Sequence, residues 1–486
     1  MSAPAASRPR SGDELELVVD RLAYGGNGVA RLDGYVVFVQ GALPGDRVLA
    51  TVTKSKRAYA EARTIEVLEP SPDRIPAVAD HPGAAWQVLP YEKQLEVKAE
   101  QVQDALTRIG KLEGYEFEPI VPAVEQWRYR NKLEYSFGTA EDGTLICGFH
   151  APGRWDQILP VEDNMLASER GNELREATLA VLREARIPAW DRETGRGTLR
   201  NLVVREGRAT GQHQVRIVTS PTNGLPIEAL RERVGADSLW WTQTSGSGET
   251  TQGGKSQLLA GKPQLEDHLG MLRFLISPEA FFQTNTEMAS TLYDVAVEYA
   301  DLHGTEKVFD LFCGIGTIGM TLAPRARTVH GLELIEDAIQ DAAENAKLNE
   351  ITNATFYAGD VRTSLLDLVE EAGKPDVVVV DPPRAGLSQK VVRRIVDAAP
   401  STIVYVSCNP TTLAPNAAQL VEAGYVLERV RPVDLFPQTP HIECVAKLTA
   451  GPDGVKNPDR PEKPGKPARP GKPGRPAKPE TPAPDA

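Results

Sequence analysis

Cys408 ends an apolar run, Ile403 to Val406, and is followed at once by Asn409-Pro410. The run reads as a buried strand. Asn-Pro is a turn signal, and proline cannot continue a central strand. The thiol therefore stands where a parallel strand opens into a loop, the edge at which open α/β sheets bind ligands. There it is either a nucleophile or a buried structural cysteine, the commoner fate of the residue type. Further on, His441-Ile442-Glu443 leads into a second strand-like run, Ile442 to Leu448. Glu443 at its start can act as the base at a reacting centre.

Two more motifs bear on the same edge. Asp310-Leu311-Phe312-Cys313-Gly314-Ile315-Gly316-Thr317 follows the strand Val308 to Phe312 and opens a helix. Its glycines permit a tight turn and close backbone approach to a ligand. Gly314, Gly316 and Gly319 loosely fit the dinucleotide fingerprint, and Glu333 stands 19 residues after Gly314, where a carboxylate grips ribose hydroxyls. A nicotinamide enzyme and an S-adenosylmethionine enzyme both fit that much. Asp381-Pro382-Pro383-Arg384, after the strand Val377 to Val380, favours the second. Methyltransferases often place an Asp/Asn-Pro-Pro turn beside the methyl donor, and proline's fixed φ holds such a turn rigid.

These motifs need a scaffold, and the chain's patterning supplies one. At 486 residues about three domains are expected. Residues 13–69 show five short strands with turns at Tyr24-Gly25-Gly26-Asn27-Gly28 and Leu43-Pro44-Gly45-Asp46, which predicts a small OB-type barrel. Lys54, Lys56 and Arg57 cluster near its end and are expected to contact RNA rather than form a merely solvated edge. Residues 70–275 are a mixed α+β region. A helix is predicted at 91–109, ending at Gly110 and able to pack on the catalytic domain. Others are predicted at 162–186 and 225–234. Within this region Arg128, Tyr129, Arg130, Asn131 and Lys132 form a basic and aromatic patch, which is either of the kind that binds single-stranded nucleic acid or an ordinary solvated loop. Residues 276–450 alternate strand and helix, predicting a doubly wound, Rossmann-like sheet.

Composition narrows the function classes. Hydrophobic content of 41% and charged content of 25% describe a soluble globular chain. No apolar run is long enough to cross a membrane as a helix. Residues 1–12 lack an apolar signal core and read as a disordered cytoplasmic leader. Four scattered cysteines argue against a zinc site or disulfide scaffold and for a reducing compartment. A net charge of −13 disfavours nucleic-acid binding by the whole surface but leaves local basic patches free to do it. Residues 451–486 place proline at every third position from Pro458 to Pro482 and carry a net +3, against −16 for the rest. That period matches polyproline II, so a disordered basic tether is expected.

Taken together, Phe281-Phe282-Gln283-Thr284-Asn285, the Asp310–Gly319 block, Gly331-Leu332-Glu333, Asp381 to Leu387, Ser407 to Pro410 and His441 to Glu443 resemble the RNA 5-methyluridine methyltransferases. The resemblance reaches back to the barrel, which is similar to a TRAM domain, and to Tyr129–Lys132. It implies S-adenosylmethionine-dependent methylation of uridine C5 in tRNA or rRNA, with the target base flipped from its stack. Cys408 would add to C6, Glu443 would remove the C5 proton, and Asp381 would lie between cofactor and uracil. Gln283, Phe312, Gly314, Gly316, Thr317, Glu333 and Asp381 would hold the cofactor, with Thr317 standing where relatives often have asparagine. Many relatives carry a four-cysteine iron–sulfur cluster after the barrel. Here Ala79 to Trp86 contains no cysteine, so no cluster is expected. A monomer without an obligate protein partner is expected. Two other readings stay open: methylation of an exocyclic amine at the Asp-Pro-Pro turn, which would need neither Cys408 nor a base, and RNA binding without catalysis.

Overall fold

The computed structural model describes residues 8–456 apart from 247 and 249. The basic tail from 457 onward and residues 1–7 of the leader lie outside the described residues.

Alternating burial closes the first domain. Strands Glu14–Leu22, Gly28–Leu32, Tyr35–Gln40, Arg47–Ser55 and Tyr59–Glu69 form a closed barrel. Leu17, Val19, Val37, Val39, Val48, Ala50 and Val52 point inward and leave the alternate positions to solvent. The parallel pairing of Val36–Gln40 with Tyr59–Arg63 joins the third strand to the last. The central region is a seven-stranded sheet, with helices Glu169–Glu184 and Ile227–Arg233 packed into one core with it. The helix expected from residue 162 starts at Glu169. Ser168 sets that start, its Oγ accepting a hydrogen bond from the Gly171 amide at 3.0 Å.

The third sheet positions the chemistry. Its strands are β1 (Lys307–Leu311), β2 (Thr328–Glu333), β3 (Ala354–Ala358), β4 (Val377–Val380), β5 (Thr402–Ser407), β6 (Tyr425–Val433) and β7 (Glu443–Ala450). Their order is β3-β2-β1-β4-β5-β7-β6, and only β7 runs antiparallel to its neighbours. Helices cover both faces, which is why β4 is four consecutive buried valines rather than an alternating pattern. The order reverses between β1 and β4, so their carboxyl ends splay apart and leave a crevice.

Two segments expected in the central region belong to this catalytic unit. The hairpin Leu265–Leu269/Leu272–Ile276 shares its core with the helix Thr286–Ala300. Glu116–Phe117 extends the sheet beside β6. A two-residue strand has no periodicity to read, so sequence patterning could not place it. The expected helix at 91–109 runs Tyr91–Asp104 and continues as a π-turn to Ile109. Val102, Ala105 and Leu106 sit in the catalytic core.

Candidate active site

Sheet register brings the predicted residues together. β5 and β7 pair with Ser407 opposite Cys444. Cys408 follows Ser407 and Glu443 precedes Cys444, so both stand at the same end of the ladder. Asp381 follows β4, the other neighbour of β5. All three line a cleft of about 880 Å³ together with Gln283, Phe312, Glu333, Arg384, Phe436 and His441.

The cleft is acidic at its base and apolar at its rim. Gln283 Nε2 donates to Asp381 Oδ2 at 3.4 Å. Burial pushes the Asp381 carboxyl up to about 7. Glu443 is raised well above the usual carboxylate range, by burial first and by the Asp381 charge second, with Arg384 opposing. Its Oε2 is buried without a hydrogen-bond partner, an arrangement that costs free energy unless a ligand completes it. Burial, then Glu443 and Asp381, drive the Cys408 thiol up to about 12, with Arg384 again opposing. His441 falls to about 4 through burial and the Arg384 charge. The neutral ring can therefore accept from the Arg384 guanidinium, 3.0 Å from its Nδ1.

The glycine-rich turn sends Phe312 to the cleft wall, whereas Gly314 and Gly316 are not among the lining residues. Phe312 has φ 65°, a left-handed conformation rare for a bulky residue. Its amide donates to Leu332 O at 2.9 Å, which locks the turn to β2. Gly316 has φ 81°, and a Cβ there would lie 2.7 Å from Phe356. Glu333 ends β2 with Oε2 accepting from the Gly314 amide at 3.2 Å and Oε1 from the Ile335 amide at 3.0 Å. Leu334 and Ile335 stay exposed on the rim. Thr317 is set back from the wall, its hydroxyl 3.1 Å from that of Tyr293.

The basic patch divides differently from the sequence expectation. Asn131 is 2% exposed and donates to Gln283 O at 2.7 Å and Thr286 Oγ1 at 2.8 Å. It braces the cleft wall from within and cannot reach RNA. Tyr129 is wholly buried, with its hydroxyl on Pro437 O at 3.0 Å. Arg128 pairs with Asp163, and Lys132 with Glu134. Only Arg130 of this group faces the cleft, over the Phe436 ring. Lys54, Lys56 and Arg57 are exposed around a barrel hairpin, Lys54 paired with Glu61, and none lines the cleft. In the cysteine-free stretch, Gln87 ties the loop by accepting from the Val78 and Ala79 amides at 2.8 and 2.7 Å. Arg384 and His441 lie inside the Asp-Pro-Pro-Arg and His-Ile-Glu motifs, and their pairing across 57 residues is visible in the structure alone.

Two outcomes follow. Asn131→Ala should destabilise the protein by roughly 2 kcal/mol, because it leaves buried groups unpaired, and leave RNA affinity within about twofold. Chemical denaturation and filter binding would measure these. Of the four cysteines only Cys408 is not buried. Iodoacetamide should therefore label Cys408 slowly in the free enzyme at pH 7. The rate should climb about tenfold per pH unit, as expected below a raised thiol pKa. Peptide mapping across pH would read this.

A doubly wound sheet of this order, with a thiol and two carboxylates at its carboxyl edge and an OB-like barrel in front, is a Rossmann-like domain joined to a small β-barrel. Comparison with known proteins narrows it. The tRNA (uracil-5-)-methyltransferase family profile matches residues 264–450, and that of the TRAM domain matches residues 9–65. The chain is 38% identical to an uncharacterized RNA methyltransferase of Halalkalibacterium halodurans over 445 residues, covering 90% of this chain and 97% of the relative. It is 37% identical to an uncharacterized RNA methyltransferase of Bacteroides thetaiotaomicron, over 88% of this chain and 99% of that one. The crystal structure of Pyrococcus abyssi tRNA (uracil-54, C5)-methyltransferase in complex with S-adenosyl-L-homocysteine is similar at 29% identity and a TM-score of 0.74, covering 89% and 99% of the two chains. The chain belongs to the tRNA (uracil-5-)-methyltransferase family, and its barrel is a TRAM domain.

Proposed function

We propose that this enzyme methylates C5 of a uridine in structured RNA, tRNA or rRNA, through a covalent bond between Cys408 and C6. The observation that carries the reading is that Cys408 and Glu443, each next to the last ladder pair Ser407–Cys444, line one cleft, with the buried Glu443 Oε2 unpartnered.

The cleft suits S-adenosylmethionine as co-substrate. Glu333 is held at the end of β2 where ribose hydroxyls would meet it. Leu334 and Ile335 offer an apolar surface for a base, and Phe312, Gln283 and Asp381 line the route inward. Burial raises both Asp381 and Glu443 in the cleft, and a cation bound beside them would offset that burial and favour their charged forms. When bound, S-adenosylmethionine supplies an electrophilic methyl group on a positively charged sulfur.

This chain's residues supply the rest. Uracil C5 is a weak carbon nucleophile. Cys408 loses its proton to solvent and the thiolate sulfur bonds to C6, so the C5–C6 π electrons move into an enolate at C4–O4. The enolate makes C5 reactive enough to take the methyl group. The Glu443 carboxylate then removes the C5 proton, the electron pair re-forms the C5–C6 double bond, and the S–C6 bond breaks to return the thiolate. Arg384 is the cation beside Cys408 and Glu443, and it opposes the raised pKa of both. Arg130 at the cleft mouth suits a phosphate of the incoming RNA.

The test is to incubate the enzyme with methyl-labelled S-adenosylmethionine and a pool of tRNA and rRNA transcripts, then digest the RNA to nucleosides. Label in 5-methyluridine is expected. Label in an N-methylated base would transfer the assignment to amine methylation.

A further inference from the structure

The turn between the first two barrel strands does not face solvent alone. Tyr24, on that turn, packs against the core of the catalytic sheet. Its hydroxyl donates to the backbone carbonyl of Cys408 at 3.1 Å, across 384 residues of sequence. We propose that Tyr24, a residue of the RNA-binding barrel, is a positioning residue for the nucleophile, fixing the peptide that carries the Cys408 thiol. This rests on the reading of Cys408 as nucleophile.

The need for such a residue follows from where Cys408 sits. The β5–β7 ladder ends at the pair Ser407–Cys444. The helix Pro410–Glu422 begins just beyond, capped by Asn409, whose Oδ1 accepts from the Thr411 amide at 3.0 Å. Asn409 Nδ2 also donates to Arg384 O at 3.0 Å. The Cys408 carbonyl thus falls between strand and helix, outside both hydrogen-bond patterns, and a polar backbone group there requires another partner. Tyr24 is that partner, and the bond limits rotation of the 408–409 peptide and with it the direction of the thiol.

The turn is itself held in place. Gln101 Nε2 donates to Ala23 O at 3.0 Å, and the Ala23 amide donates to Asn27 O at 2.8 Å. Gly26 has φ 90°, and a Cβ there would lie 2.9 Å from Pro440 and 3.0 Å from Trp86 Nε1. Pro440 precedes His441, the partner of Arg384. The same turn therefore abuts both sides of the site, the Cys408 loop through a hydrogen bond and the His441 loop through close packing. Two points of contact from a domain that binds RNA couple the barrel's seating to the geometry of the thiol.

Tyr24→Phe keeps the packing and removes the bond to the Cys408 carbonyl together with the hydroxyl's contact with Arg384. Using the full chain and an RNA that accepts methyl from the native enzyme, kcat should fall on the order of tenfold, the scale of one lost hydrogen bond, with KM for RNA unchanged within about twofold. The rate of covalent adduct formation with 5-fluorouridine RNA should fall by the same factor, while the thermal unfolding midpoint drops by only a few degrees. Gly26→Ala keeps the hydroxyl but forces the turn off Pro440, and should show the same loss in kcat. Native-like kcat in both variants, or a raised KM with native kcat, would overturn the positioning role and leave Cys408 as nucleophile. Absence of an adduct in the native enzyme run alongside would instead overturn the nucleophile and this role with it.

Discussion

Cys408→Ala should transfer no measurable methyl group to uridine, a loss of at least about 10⁴-fold, while still folding and binding RNA. The substitution removes only a sulfur that is partly open to the cleft, so the fold has little to lose. No other thiol can replace it. Cys444 is buried on β7 with its Sγ toward Ser407 O, and Cys313 is buried behind the glycine-rich turn. Without a sulfur at C6, C5 keeps its weak native reactivity, and a cofactor held beside it is not enough. Methylation of an exocyclic amine would survive this change, so a nucleoside digest of RNA treated with the variant separates the two chemistries.

The second large effect should come from Glu443→Gln, in which turnover falls by about 10³-fold and a denaturation-resistant enzyme–RNA adduct accumulates. Burial and the Asp381 charge raise Glu443 well above the usual carboxylate range, so an uncharged glutamine of the same shape should be tolerated by the fold. What it cannot do is accept the C5 proton. Addition and methyl transfer come before that step and elimination of Cys408 comes after it, so the variant should stop with the S–C6 bond intact. Gel electrophoresis under denaturing conditions would show the adduct as a shifted band. A variant that loses activity without accumulating adduct would put Glu443 earlier in the sequence.

The chemistry was more readable in the chain than the architecture around it. Asp381, Cys408 and Glu443 each stand at a strand end marked by a local pattern: four valines into Asp-Pro-Pro, an apolar run into Ser-Cys-Asn-Pro, and His-Ile-Glu into another strand. Local patterns place strand ends; parallel β4 and β5 end at one edge and antiparallel β7 starts there, so the three residues come to line one cleft. Features that depend on distant contacts were not readable. Asn131 looks like a surface residue between Arg130 and Lys132, yet its partners Gln283 and Thr286 lie more than 150 residues away and draw it inward. Phe312 is an ordinary strand residue by pattern, and only the lock to Leu332 explains its left-handed backbone. Tyr24 belongs by sequence to a barrel turn and by structure to the nucleophile's loop.

The central claim is a covalent bond from Cys408 to uracil C6, and fluorine at C5 tests it directly because an added fluorine cannot leave as a proton does. The measurement is to incubate the native enzyme with S-adenosylmethionine and 5-fluorouridine-substituted tRNA and rRNA, isolate the denaturation-resistant complex, and map the modified peptide by mass spectrometry. The account predicts a stable adduct on the peptide containing Cys408, dependent on S-adenosylmethionine for its methylated mass. An enzyme that methylates normal RNA at C5 yet gives no adduct, or gives one on a residue other than Cys408, would contradict it.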